Sequence, residues 1–355
     1  MNIHMTMKIN KTHSLMLFLG ISILLTGCSD SLSDTTDGRL RYWISTLSSD
    51  EFEGRAPGTE GGQLTKNFIS KTFQDLNLDP VNGSYFLDVP TSEITLKDSS
   101  YLTLSFRGND RKMITGDEVV FWTKQAREYR KIRDSEVVFV GYGIVAPEYN
   151  WNDYEGIDVK GKTVVILVND PGFATGKLRL FNGRSMTYYG RWTYKFEEAA
   201  RQGAAAAIIV HEEEPAAYPW SVVENSWQGP QLDLQRDDLG ADRVILEGWI
   251  RDNTLNDVLN FTGFNYDSLK EIALEKTFSA FQLRGLTLSS EIHNKVRYLQ
   301  SHNLAAVKKG STHPDEYILF MAHWDHLGFM DGDQIGDDKI ANGAVDNATG
   351  VAAVL

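Results

Sequence analysis

Apolar residues near the start of the chain recur every three or four positions, first over 40–47 and then over 64–76. This spacing places side chains on one face of a helix and predicts two amphipathic helices. From about residue 85 onward, short apolar runs bounded by glycine and polar residues predict strands, among them 137–143 and 163–168. Further helix-then-strand patterns follow between 192 and 290, so the chain as a whole is predicted to be an α/β protein.

The candidate chemistry lies near the carboxyl end of the chain. The run Asp315–Met321 is apolar at its centre and predicts a strand buried on both faces, with His323 and Asp325 just beyond its end. Asp346 opens a second apolar stretch, which predicts a helix. An imidazole and a carboxylate suit Zn²⁺, and a carboxylate near a histidine can also orient its ring. The spacing alone leaves open both a metal site and a surface pair joined by hydrogen bonds.

Composition narrows the classes of function. The chain has 355 residues, with 35 Lys and Arg against 48 Asp and Glu, for a net charge of −13. Its length corresponds to about two domains, and its acidity gives no support to nucleic-acid binding. The single cysteine excludes an intramolecular disulfide framework and a zinc site with several cysteines. A metal site in this chain must therefore use histidine and carboxylate ligands.

Residues 1–27 are predicted to be a lipoprotein signal peptide. A basic start precedes an apolar run of 11 residues, 15–25, which is too short to span a bilayer of ~30 Å. The run ends in Leu-Thr-Gly-Cys, which resembles a bacterial lipobox and implies a lipid on Cys28. Residues 28–38 would be a tether, and the protein would be held at the cell envelope, at the outer membrane facing the periplasm, or secreted. The alternative is an ordinary cleaved signal peptide with an unmodified cysteine.

Three strings at the carboxyl end are specific in combination: NLAA at 303–306, FMAHWDHLG at 320–328 and NGAVDNATG at 342–350. They resemble the di-zinc aminopeptidase and glutamate carboxypeptidase family of metallopeptidases, family 28. The string FEGRAPGTEG at 52–61 is similar to the N-terminal segment of that family. Residues 135–250 resemble its inserted protease-associated domain.

The resemblance implies a mixed β-sheet sandwiched by helices, as in zinc exopeptidases, with an inserted β-rich domain. The expected division of the mature chain follows in order: 39–132 as the N-terminal part of the peptidase domain, 133–285 as the inserted protease-associated domain, and 286–355 as a peptidase domain that is incomplete at its carboxyl end.

The resemblance also implies roles for individual residues. His323 would bind one of two zinc ions, Asp346 would bridge both, and Asp325 would orient the ring of His323. The family also implies a cis peptide bond after Asp346. Its general-base glutamate and remaining zinc ligands would follow the helix begun at Asp346. The 355 residues are therefore expected to be a fragment that is inactive alone and that exposes apolar surface and aggregates.

The implied activity is zinc-dependent removal of N-terminal residues from peptides, outside the inner membrane. Peptides would be the substrates, the lipid on Cys28 would contact the membrane, and no nucleic acid would be bound. Two alternatives remain: a non-catalytic receptor-like or binding protein on the same scaffold, or a glutaminyl cyclase with one zinc. The sequence identifies no substrate-binding residues.

Overall fold

A computed structural model of the protein describes residues 36–227, 229–330 and 338–355. The α-helices in this part of the chain are α1 (Thr36–Leu47), α2 (Glu60–Asp75), α3 (Pro171–Thr175), α4 (Trp192–Arg201), α5 (Glu213–Ala216), α6 (Trp220–Trp227), α7 (Asp252–Leu259), α8 (Tyr266–Ala273) and α9 (Thr349–Val354). The strands are β1 (Asp79–Pro80), β2 (Phe86–Leu96), β3 (Tyr101–Phe106), β4 (Asn109–Lys112), β5 (Val119–Trp122), β6 (Tyr129–Phe139), β7 (Val145–Ala146), β8 (Trp151–Asn152), β9 (Thr163–Leu167), β10 (Ala206–His211), β11 (Pro230–Leu234), β12 (Leu246–Arg251), β13 (Phe281–Leu304), β14 (Ala306–Val307), β15 (Gly328–Phe329) and β16 (Ile340–Ala341).

The chain divides into two compact units. The first contains the described residues up to Asp88 together with Ser301–Leu355, and the second is Val89–Gln300. The second unit begins before residue 133, where the sequence predicts the insert, because β3 pairs with β13 and β5 pairs with β12 in one sheet. That the insert is of the protease-associated type stays a prediction.

The second unit is built around a mixed sheet. Its strand order is β11-β2-β13-β6-β9-β10-β12-β5, and β3 and β4 extend it from β13. The ladders from β6 through β9 and β10 to β12 are parallel, whereas β13 and β5 run antiparallel to their neighbours. The predicted α/β class with a mixed sheet and helices is confirmed.

The central strands are buried on both faces, as their continuous apolar sequences require. In β9, Val165 and Leu167 pack in one apolar cluster, together with residues of α7 and α8. Val164 and Ile166 point to the opposite face, where they pack with residues of α4 and α6. Helices therefore cover both faces of the sheet in this unit.

The first unit has a smaller core formed by helices and loops. Leu47 of α1, Ile69 and Phe73 of α2 and Val351 of α9 pack around Trp324. The side chain of Thr59 accepts a hydrogen bond from the backbone N–H of Gly62 and so caps α2. The described strands of this unit pair only two at a time, β1 with β14 and β15 with β16.

The predicted buried strand at Asp315–Met321 is wrong. The segment has no strand conformation, and the side chains of residues 317–321 are 72–85% exposed. The apolar run is real, but among the described residues no strand pairs with it and no apolar face covers it. An apolar run can indicate that a partner is needed, but it does not identify the partner.

No helix within the described residues is both long and apolar enough to cross a bilayer. The predicted signal peptide, Cys28 and most of the predicted tether lie outside the described residues.

A buried carboxyl lies in the sheet of the second unit. Glu247 of β12 is fully buried and accepts a hydrogen bond of 3.0 Å from Nε1 of Trp122. Burial raises the pKa of Glu247 to about 7, although Lys124 and Arg243 act in the opposite direction. Because removal from water penalises the charged form, this carboxyl resists ionisation in the folded protein.

The substitution Glu247→Gln should make stability less dependent on pH. In an unfolded chain a glutamate has a pKa of about 4.3, so from there to pH 7 the folded state keeps a proton that the unfolded state has lost. Stability of the unsubstituted protein therefore falls as pH rises through this window, by up to about 4 kcal/mol. Thermal unfolding at pH 5 and pH 8 should show the variant gaining on the unsubstituted protein at pH 8. Parallel pH profiles would contradict this account of Glu247.

The substitution Leu319→Lys should reduce self-association, because it places a charge within the exposed run 317–321. Sedimentation velocity should show more monomer for this variant than for the unsubstituted chain. Leu178→Lys is the matched control, since Leu178 is an equally exposed but isolated leucine of the other unit. Equal association of all three proteins would show that the run does not drive it.

Candidate metal centre

The structure brings together the two predicted metal ligands. Nε2 of His323 lies 3.0 Å from Oδ1 of Asp346, although 22 residues separate them in the chain. His323 precedes the β15–β16 hairpin, and Asp346 lies in the turn Ala344–Ala348 that leads into α9. Their side chains are 52% and 71% exposed. Both groups therefore remain open to solvent and to a ligand.

The ring of His323 lies against Asp325. Nδ1 of His323 lies 3.0 Å from the backbone oxygen of Asp325 and 3.6 Å from its Oδ1. A carbonyl only accepts hydrogen bonds, so the Nδ1 proton is donated to it, whereas the carboxylate lies beyond hydrogen-bond distance. Asp325 thus acts mainly through its main chain. The predicted orienting role of its carboxylate stays a prediction.

This tautomer bears on whether a metal fits. In the neutral ring with its proton on Nδ1, Nε2 of His323 would present a lone pair toward Asp346, and this is the form in which imidazole binds a metal ion. Zinc binds imidazole nitrogen and carboxylate oxygen at about 2.0–2.2 Å, which at a tetrahedral angle separates the two ligand atoms by about 3.3 Å. The observed separation of 3.0 Å is close to that value. The donor set therefore fits a zinc ion, although it supplies only part of a coordination sphere.

The described residues do not provide a complete site. Among them, no group of three or more His, Cys, Asp or Glu could hold a metal ion. His326 is half-buried close to His323 and Asp346. Burial lowers the pKa of His326, and the charge of Asp346 opposes this shift.

The backbone around Asp346 is closely fitted. The peptide bond Asp346–Asn347 is cis, as the family resemblance implies. Gly343 has φ of +60°, and a Cβ there would lie 2.4 Å from the backbone oxygen of Asp346. A Cβ on Gly350 would lie 2.2 Å from Oδ1 of Asn347, whose Nδ2 donates to the backbone oxygen of His323 at 3.4 Å. The two glycines therefore allow the approach of the loop to His323.

A buried arginine joins the two loops that carry these residues. Nε of Arg55 donates to the backbone oxygen of Trp324 at 3.0 Å, next to His323 in the chain. Its two terminal nitrogens donate to the oxygens of Asn342 at 2.6 Å and Gly343 at 2.8 Å, and one of them also donates to the oxygen of Leu47. The predictions from sequence assigned no role to Arg55, although it lies in the string at 52–61 that carried the resemblance.

The backbone at Arg55 is unusual. Glu53, Gly54 and Arg55 have φ of 47°, 65° and 57°, so three consecutive residues are left-handed. Outside glycine this conformation costs roughly 1–2 kcal/mol per residue. Burial lowers the pKa of Arg55, and the nearby carboxylates of Asp325 and Asp346 oppose the shift. The cost of the turn and of burying the cation is offset by hydrogen bonds and by these charges.

Trp324 anchors the histidine loop in the core. Its indole is buried, and Nε1 donates to the backbone oxygen of His302 at 3.0 Å. His323 and Asp325 therefore project from either side of a fixed residue. On the other loop, Nδ2 of Asn342 donates to the backbone oxygen of Ser48 at 3.0 Å and to Oδ1 of Asp50 at 2.8 Å.

A family model matches the part of the chain that carries this site. Residues 303–355 match the sequence model described as Peptidase family M28. No curated protein matches the chain. Of the solved structures, 57 chains match, among them an aminopeptidase from Aneurinibacillus sp. strain AM-1, with 19% identity and a TM-score of 0.42. That match covers 88% of this chain and 56% of the other, so the chain spans little more than half of the aminopeptidase. The segment that matches the family model contains both His323 and Asp346.

Proposed function

We propose that the protein is a zinc-dependent exopeptidase that removes N-terminal residues from peptides. The observation that carries the proposal is the 3.0 Å separation of His323 Nε2 and Asp346 Oδ1, within the segment that matches a peptidase family. The same fold without His323 and Asp346 would not indicate hydrolysis, because function depends on the residues of the site and not on the fold alone.

His323 and Asp346 would hold zinc, with Asp346 as the ligand that two ions would share. Bound zinc would lower the pKa of a water molecule and polarise the carbonyl of the scissile peptide bond. The protein contributes a fixed ring. The hydrogen bond from Nδ1 to the backbone of Asp325 fixes the orientation of the ring and leaves Nε2 of His323 as the nitrogen that faces the site.

The remaining ligands and the general base are part of the proposal. Because the described residues hold no group of three or more candidate ligands, we propose that a longer form of the protein completes the centre and that the 355-residue chain alone does not hydrolyse peptides. A water activated by zinc also needs an acceptor for its proton.

The proposed location follows from the sequence. A lipid on Cys28 would hold the protein at the cell envelope, where it would meet peptides outside the inner membrane. The resemblance of residues 25–28 to a lipobox supports this proposal.

In the form that completes the centre, His323→Ala and Asp346→Ala should each abolish zinc-dependent release of the amine from aminoacyl amides. Loss of a zinc ligand removes several kcal/mol of transition-state stabilisation, which corresponds to a fall in kcat/KM of at least about 1,000-fold. Release of a chromogenic amine, measured with and without a chelator, gives the rate.

His313→Ala is the control, because His313 is exposed in the same matched segment and its Nδ1 lies 3.6 Å from Oε1 of Glu316. This variant should retain full activity. Unchanged turnover in either ligand variant would refute the assignment, and zinc binding without any turnover in the complete protein would favour the non-catalytic alternative.

A further inference from the structure

The hydrogen bonds of Arg55 connect segments that lie far apart in the chain. Its guanidinium donates to backbone oxygens on three separate segments: the end of α1 at Leu47, the histidine loop at Trp324, and the aspartate loop at Asn342 and Gly343. All these acceptors are main-chain carbonyls. The interaction therefore fixes backbone positions, as the planar, five-donor guanidinium is suited to do.

The acceptors lie close to the proposed zinc ligands in the chain. Trp324 directly follows His323, and Gly343 is three residues before Asp346. Arg55 is the last of three consecutive residues with left-handed φ, and backbone strain of this kind is concentrated at functional sites.

We propose that Arg55 is a positioning residue that sets the separation of His323 and Asp346 and thereby raises the zinc affinity of the pair. The inference rests on the proposed function. Arg55 does not contact the zinc in this account. It acts through the backbone of the two loops.

The charge of Arg55 and the position of its hydrogen bonds predict different effects of substitution on zinc affinity, so the inference can be tested. A buried cation near Asp325 and Asp346 repels a zinc ion, so if only its charge mattered, a lysine would leave zinc affinity unchanged and a neutral residue would raise it. If position matters, lysine keeps the charge but cannot donate to all three segments, and zinc affinity falls.

The experiment is a calorimetric titration of the full chain with zinc chloride, together with thermal unfolding without metal. Arg55→Lys should weaken zinc binding about 10- to 100-fold, the range expected when a group that orients metal ligands is lost. Phe73→Leu is the control, since Phe73 is buried in the same core and contacts Tyr85. It should lower the unfolding temperature while leaving zinc affinity within twofold.

Zinc affinity of Arg55→Lys within twofold of the unsubstituted chain would overturn the role of Arg55 alone. Absence of zinc binding by the unsubstituted chain would overturn this inference, whereas the proposed function is tested separately by the turnover of the form that completes the centre. If Arg55→Lys does not fold, Asn342→Ala replaces it, because Asn342 ties the aspartate loop to Ser48 and Asp50. This variant should weaken zinc binding severalfold, and unchanged affinity would equally contradict control of the site by the segment 47–55.

Discussion

The candidate site depends on one set of hydrogen bonds, those between the buried guanidinium of Arg55 and the backbone of two loops. His323 and Asp346 are exposed, and neither belongs to a long helix or strand that could hold it. Their 3.0 Å separation is therefore a property of the loops. The loops in turn are fixed by Arg55, by the buried Trp324 between them and the core, and by the hydrogen bonds of Asn342.

The second unit follows a different physical principle. Its sheet is stabilised by apolar burial on both faces, with helices on each side of β9 and β10. Within this sheet, the buried Glu247 accepts a hydrogen bond from Trp122. None of the predicted metal ligands lies in this unit. The second unit therefore supplies no ligand to the proposed zinc site. Its assignment as a protease-associated domain stays a prediction.

Much of the fold could be predicted because helices and strands are indicated by the spacing of apolar residues within short segments. The helices at α1, α2 and α4 follow from apolar spacing, and β9 and β10 follow from short apolar runs. The pairing of His323 with Asp346 and the cis bond at Asp346 came from the family resemblance. Neither spacing nor composition could have supplied them, since contacts across 22 residues leave no periodic signal.

The strand predicted at 315–321 and the role of Arg55 could not be settled from the sequence, for physical reasons. The run at 315–321 has the composition of a buried strand, but strand formation requires a partner, and the sequence of one segment does not contain that information. Arg55 was missed because a single arginine among glycine and proline residues is typical of a surface turn. Only the structure shows that its side chain is buried and donates to three segments.

The most direct test of the account is X-ray absorption at the zinc edge of the metal-loaded chain. We expect one imidazole nitrogen in the first coordination shell together with oxygen ligands, with the imidazole scattering lost in His323→Ala and one oxygen lost in Asp346→Ala. A first shell without imidazole, or one that is unchanged in both variants, would show that these two residues do not share a zinc ion.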